Sequence, residues 1–546
     1  MKEFGLIFMS NLKYISLPNE TNQIHMKNCK LLIVLLFFVC CNITNAQIKT
    51  AENTYRNPVI SGDFPDPTII RVEKDYYAAG TSSDFAPHYP LFHSVDLINW
   101  ERIGSCLMET PKWASGSFWA PELYYNHGVY YLYYTARRKT DNVSCIGVAT
   151  TTDIHRGFTD KGIFIDWGKE AIDAFVFKDT DGKLYICWKA YGLNKERPIE
   201  ILASELSADG LSLVGEHFSL TRYDEGWVGN GDEGPCLVKR NGYYYLFYSV
   251  GGCCDNQCSY QVMVSRSKNL KTGWKQYDQN PVLEGNAEWK CSGHGTLVET
   301  PDHRSFFLYH AYNSKDFEYI GRQGMLDEVL WDKQTGWPYF KNGKSPSSMA
   351  AMPFRETSQK RDSIYADRFT NAHNLFLWQW DLKSQKPEIK IEGGKLTLAT
   401  SKKGIVFAGL SPQTGNFSLE TKVECSVDLN GICLYGSPEN LIGLVANKTT
   451  ISLFRIIKGQ REEIFETPNT GFKDLSLKLE AKNGRYYKFF YSDNHIDWKE
   501  VQMKTESLDG SFLPQWGVGL RTGLLIDNQS DRPAEFSFVR LINKFK

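Results

Sequence analysis

Five segments between residues 55 and 345 share one plan, and this repetition constrains the fold more than any other feature of the chain. They begin "DPTIIRVEKDYYAAGTSS", "APELYYNHGVYYLYYTA", "DAFVFKDTDGKLYICWKA", "EGPCLVKRNGYYYLFYSV" and "HGTLVETPDHRSFFLYHAY". Each opens on a polar residue near a proline or small residue, then gives a strand, a turn containing Gly, Asp or His, and an aromatic strand. A third strand follows in each, as in "LFHSVDLINWERIG" after the first. Runs rich in Tyr, Val, Ile, Phe and Trp broken by Gly, Asp and Asn are the strand-and-turn signature, and helical periodicity is almost absent. A repeat of roughly 50 to 60 residues is what a four-stranded blade with its loops requires. The expectation is an all-β chain with a five-bladed β-propeller over 55–345.

From about residue 360 the pattern changes. "KIEGGKLTLAT", "NFSLETKVECSV", "NLIGLVANKTTISLFRII" and "AEFSFVRLIN" alternate as sandwich strands do, without the propeller repeat. The stretch "SPSSMAAMPFRETSQKRD" reads as a linker, so the expected organisation is a linker at 346–362 and a β-sandwich at 363–546.

Residues 1–46 read as upstream sequence and a signal peptide. Met26 is followed by two lysines, an apolar run from Leu31 to Val39 and the small-residue site Thr44-Asn45-Ala46. The run is too short to span a bilayer, and a lipid anchor on Cys40 or Cys41 is disfavoured by the bulky residues before either. Cleavage near Ala46 would leave Gln47 first and send the protein to the periplasm or medium. Export permits disulfides. Of the thirteen cysteines, Cys253, Cys254 and Cys258 crowd into "GGCCDNQCSY", with Cys291 downstream. The spacing lacks the paired CxxC of a zinc site, so a local disulfide knot is expected. Cys425 and Cys433 flank "SVDLNGI" and could bridge a hairpin.

Lys and Arg total 62 against 63 Asp and Glu, which excludes a nucleic-acid or anionic-membrane partner on charge grounds. With 29 Tyr, 32 Phe and 14 Trp, the chain suits a neutral ligand with apolar faces, such as a sugar.

In a propeller the first strand of each blade starts at the axis. Aligning the repeats places Asp66, Glu122, Asp173, Glu233 and His294 there. Converging carboxylates are expensive when merely buried, whereas a bound cation or glycoside hydrolysis would use them. The latter needs two carboxyl groups flanking the scissile bond, one a base and one an acid with a raised pKa. Each residue also has a plainer reading. Asp66 could cap a turn between its prolines, with Asp63 a turn residue beside it. Asp173 and Glu122 could be structural, His294 could be a satisfied core histidine, and only one of Asp232 and Glu233 can face the axis.

The motifs "FPDPT", "WAPEL", "IDAFVFKDTDGKLY", "DEGPCLVKRNGYYYLFYS", "GHGTLVE" and "GRQ…LW…GWP", in that order, resemble those of glycoside hydrolase family 43. The C-terminal stretch is similar to the concanavalin-like domain that follows the propeller in arabinofuranosidase and β-xylosidase members. The resemblance implies an exported, inverting, exo-acting hydrolase releasing terminal α-L-arabinofuranose or β-D-xylose from plant cell-wall oligosaccharides or polysaccharides. An endo-acting arabinanase or a catalytically silent sugar-binding propeller are the alternatives. Carried over by position, Asp66 is the general base, Glu233 the general acid, and Asp173 the residue that tunes the acid's pKa. Trp119, Arg322, Phe85 and His294 are implied substrate contacts. No cofactor is required, although a structural Ca2+ at the axis, reached by His294 through water, is compatible with the resemblance. Inversion implies a base-to-acid separation of roughly 6.5–9.5 Å.

Overall fold

The computed structural model describes residues 53–545, leaving aside 168, 193–198, 222–231, 356, 401 and 531. The leader and its cleavage site therefore lie outside the described residues. Residues 55–546 form one compact unit.

The chain is all-β. Among the described residues, five four-stranded antiparallel sheets follow one another, each strand pairing with the next except in the first sheet, where the short strand Phe85–Ala86 is passed over. Their first strands are Thr68–Val72, Ala114–Asn126, Glu170–Lys178, Glu233–Arg240 and Trp289–Glu299. Each of these packs against the first strand of the next sheet, and the last packs against the first, so the five close a ring.

The aromatic runs owe their composition to this packing. Successive side chains of a strand point to opposite faces, and here both faces of a sheet meet a neighbouring sheet. In the strand Val129–Arg138, Tyr131 and Tyr133 join the apolar cluster shared with sheet three, while Leu132 and Tyr134 join the one shared with sheet one. A strand buried on both faces reads as a continuous apolar run, not as an alternation.

After the ring come a six-stranded sheet and a nine-stranded sheet. They enclose one core, in which Leu419, Leu477 and Leu479 of the larger sheet meet Ile432, Leu434 and Leu444 of the smaller. Alternate residues of the smaller sheet, including Cys433, Tyr435 and Phe454, face the other way and pack on Phe85. This explains one departure from expectation. Cys425 belongs to the inter-sheet core and Cys433 to the opposite face, so both are free thiols. The knot does form, as Cys253–Cys254 and Cys258–Cys291.

Asp63 also departs from the turn role. It is buried, and its Oδ2 accepts from both Nη atoms of Arg521 at 3.2 Å. The first sheet is thereby tied to the strand Arg521–Asn528.

Candidate active site

The start of each first strand carries the same local device. Asp66, Ala120, Asp173, Gly234 and His294 all have positive φ, between 32° and 60°. In sheets two to five the ladder register shifts at that point. Such a bulge bends the strand and re-aims its side chains, and here it turns them to the centre of the ring. Opposite the bulges, Thr135, Lys189, Ser249 and His310 stand on the second strands, and Thr81 just beyond the end of the second strand of sheet one.

These residues bind each sheet to the next. The Ala120 amide donates to Thr81 Oγ1 (2.8 Å), Asp173 to Thr135 Oγ1 (3.2 Å), His294 to Ser249 Oγ (2.8 Å) and Asp66 to His310 Nδ1 (3.0 Å). Lysine has no acceptor, so the fifth link differs. The Gly234 amide donates to Asp173 Oδ2 (3.0 Å), and Lys189 Nζ donates to Glu233 Oε2 (2.7 Å). Gly234 is required, because a Cβ there would lie 2.8 Å from the His294 ring at a φ of 57°.

This register refines the sequence alignment. Glu233 precedes the bulge position of its sheet by one residue and Glu122 follows its own by two. Glu122 accordingly points between sheets, accepting from Thr68 Oγ1 (2.7 Å) and the Val176 amide (3.0 Å). Burial pushes its carboxyl up to about 8, so at neutral pH it is an uncharged brace joining three sheets.

Three carboxyl groups surround His294. Its Nδ1 lies 3.6 Å from Asp66 Oδ1 and 3.8 Å from Asp173 Oδ2. Asp66 accepts from Arg322 Nη1 on Oδ1 and from Thr81 Oγ1 on Oδ2, both at 2.7 Å. Burial opposes its ionisation, yet the Arg322 guanidinium holds it far below the usual carboxylate range. His310 Nδ1 receives the Asp66 amide and lies 3.2 Å from Asp66 Oδ1. Burial and Arg322 depress His310 to about 4, keeping it neutral.

Asp173 is raised to about 6 by burial and by the nearby Glu233 and Asp66, against the pull of His294 and Lys189. Glu233 goes the other way. Burial would raise it, but Lys189 and the Tyr260 hydroxyl, which donates to Oε1 at 2.7 Å, hold it low. The sequence reading placed the raised pKa on Glu233; in the structure it rests on Asp173, because Lys189 neutralises Glu233. Burial pushes Asp232 up to about 7.

The other expected contacts divide. Trp119 is half-buried, with the Arg137 guanidinium 5.5 Å from its ring centre. Arg322 is buried and engaged, with Nη1 on Asp66 and Nη2 on the Gly517 carbonyl at 3.3 Å. It acts on the carboxylate first. Phe85 is not a pocket wall. It is 1% exposed, packed edge-on against the stacked rings of Phe407 and Tyr435 under the Arg521 guanidinium, and its strand pairs with Trp380–Asp381.

Among the described residues, no group of three or more His, Cys, Asp or Glu side chains is arranged to hold a metal. Calcium takes six to eight oxygen ligands. Around His294 the Asp66 oxygens already serve Arg322 and Thr81, Asp173 Oδ2 serves Gly234, and the arginine adds positive charge. This donor set does not fit a directly held calcium ion.

Lys189, Tyr260, Thr81 and His310 were missed from sequence. Three of them were nonetheless legible in the repeats, where "AGTS", "YYTA", "CWKA", "FYSV" and "LYHA" occupy one position, and only the third is basic and permanently charged. Tyr260 had no such signal.

Residues 55–338 match the family model described as glycosyl hydrolases family 43. A xylan 1,3-β-xylosidase of a Vibrio species is 27% identical over 82% of this chain and 90% of its own length. A β-xylosidase of Bacillus subtilis is 25% identical over 89% of this chain and 99% of its own. The crystal structure of the GH43 protein BlXynB from Bacillus licheniformis superimposes with a TM-score of 0.77 at 25% identity, over 90% of this chain and all of that one. The chain belongs to glycosyl hydrolase family 43.

Proposed function

We propose that the protein is an exported, inverting, exo-acting glycosidase that removes terminal pentose from plant hemicellulose or its oligosaccharides. The observation that carries this reading is the convergence of Asp66, Asp173 and Glu233 about His294 in a ring of five sheets. We read those sheets as the blades of a propeller over 55–345, joined by the segment 346–362 to a β-sandwich over 363–546. Asp66, kept ionised by Arg322, retains lone pairs for a water molecule and removes its proton as it attacks the anomeric carbon. Glu233, in the fraction that carries a proton, gives it to the departing oxygen and is left as the carboxylate that Lys189 and Tyr260 stabilise. Asp173, one backbone amide away from Glu233, adjusts the acid's proton affinity through their mutual repulsion. Trp119 offers an apolar face to the sugar.

Exo action is supported by Gly517 of the C-terminal part, whose carbonyl accepts from the Arg322 that holds Asp66, so that part of the chain reaches the support of the base. β-D-Xylose is favoured over α-L-arabinofuranose as the sugar, because the relatives matched over most of the chain are named xylosidases. The non-reducing end α-L-arabinofuranosidase of Bacteroides ovatus matches over 57%.

The test is nitrophenol release from the β-D-xyloside and the α-L-arabinofuranoside by residues 47–546, with the product anomer followed by NMR, and loss of turnover of an unactivated pentose disaccharide in Glu233→Gln, since a nitrophenolate leaves without needing the acid. Turnover of either glycoside with inversion is expected, and its ratio names the sugar. A folded protein inactive on both but active on polymeric arabinan would replace the reading with endo action.

A further inference from the structure

The segment after the second strand of sheet four is closed by covalent bonds that the hydrolytic chemistry does not use. Cys253 is bridged to Cys254, and Cys258 to Cys291, three residues before His294. The Ser259 amide returns to the Gly252 carbonyl at 2.9 Å. Residues 255–257 and 259 are exposed, so little apolar packing holds the loop apart from the bridges.

Two contacts leave the loop in different directions. Toward the acid, the next residue is Tyr260, 2% exposed and packed with Cys291 and Tyr312. Its ring lies parallel to His310 at 5.6 Å and its hydroxyl donates to Glu233 Oε1. Toward the base, the Cys254 carbonyl accepts from Tyr312 Oη (3.3 Å) and from the Gly517 amide (3.1 Å). The Gly517 carbonyl in turn accepts from Arg322, which holds Asp66. A Cβ at 517 would come within 3.2 Å of Cys254 Cβ at a φ of 70°, so the close approach requires glycine.

We propose that this doubly bridged loop is a positioning device for both catalytic carboxyl groups, with Tyr260 its contact to the proton donor and Gly517 its contact to the arginine of the base. The proposal rests on the roles assigned above to Asp66 and Glu233. A carboxyl group held on both oxygens keeps one rotamer, and a catalytic constellation works only when its supports are themselves fixed. Besides Tyr260, Glu233 faces Lys189, Asp173, Asp232, His294 and Tyr191, none of which belongs to the loop. A change confined to the loop therefore reaches the acid through Tyr260.

The experiment compares the pH dependence of kcat/KM on an unactivated pentose disaccharide for five preparations, with thermal unfolding as a fold check. They are the oxidised wild type, wild type reduced by a phosphine, Cys258→Ser with Cys291→Ser, Tyr260→Phe, and Tyr260→Phe reduced by a phosphine. Tyr260→Phe removes a hydrogen bond to an ionised carboxylate, so the basic limb should move up by about one to two pH units. Opening the bridges should move the same limb in the same direction and lower kcat more than it changes KM. Reducing Tyr260→Phe should add no further shift, since both act through one contact. A folded, bridge-free protein with an unmoved limb, or shifts that simply add, would overturn the proposal. If the bridge-free protein does not fold, Tyr260→Phe decides by itself, and an unmoved limb overturns it. Failure of the functional reading looks different: the oxidised wild type would turn over neither pentoside.

Discussion

Lys189→Met is the substitution that most directly probes the acid. The lysine is 4% exposed and its Nζ lies 2.7 Å from Glu233 Oε2. Methionine keeps the length of the stem and removes the charge. At that separation, an effective dielectric near 20 gives an attraction of about 6 kcal/mol, a ceiling of roughly four pKa units. A hydrogen bond to a charged group contributes about 1.5–3 kcal/mol net, a floor of roughly one to two units. Since Lys189 holds Glu233 low, its loss raises the acid's pKa. A general acid must be protonated, so kcat/KM falls as pH rises through that pKa, and the variant's basic limb should move to higher pH by between about one and four units. The substrate must be an unactivated disaccharide, because a nitrophenolate leaves without a proton and hides the acid. Stability gives an independent reading. In the wild type the depressed Glu233 stabilises the fold above its unfolded pKa and loses that contribution as pH falls. In the variant the contribution vanishes, so the deficit in Tm should widen from acid to neutral pH. A basic limb that stays in place, or moves to lower pH, would refute the assignment of Glu233 as the acid restrained by Lys189.

Glu122→Gln should keep activity, because the amide oxygen can accept from Val176 and the amide nitrogen can donate to Thr68. The folded value of about 8 lies above the unfolded one, so wild-type stability declines as pH rises toward 8, and the variant should melt higher than wild type at pH 9. His88 and His310, depressed by burial to about 3 and about 4, are neutral in the fold and charge on unfolding. Stability should therefore fall as pH drops from about 6.5 toward 4, and His310→Gln should flatten that decline in urea titrations. Phe85→Ala should lower stability by about 3–5 kcal/mol through the cavity it leaves beside Phe407 and Tyr435. KM in the surviving folded protein should not change; a raised KM would restore Phe85 to the pocket.

The repeats themselves determined much of this molecule. Aromatic strands at a fixed spacing have one economical way to bury both faces, which is to stack sheet against sheet. That local periodicity carried the all-β class, the ordered motifs carried the family, and the repeat alignment pointed to Asp66, Asp173 and Glu233 as the candidates whose roles are proposed here. The alternating segments after residue 360 announced further sheets in the same way. What the tertiary structure decided is everything set by contacts between distant segments. The pairing of Lys189 with Glu233, 44 residues away, moves the raised pKa to Asp173. The contact between Arg322 and Gly517, 195 residues apart, brings the C-terminal sheets to the site. Phe85 was carried over by position as a substrate contact, but the strand it pairs with lies almost 300 residues later and buries it in the seam. Protonation states follow the same division. Residue type and spacing say which groups can ionise, whereas burial and the nearest opposite charge, both properties of the folded chain, decide which of them do.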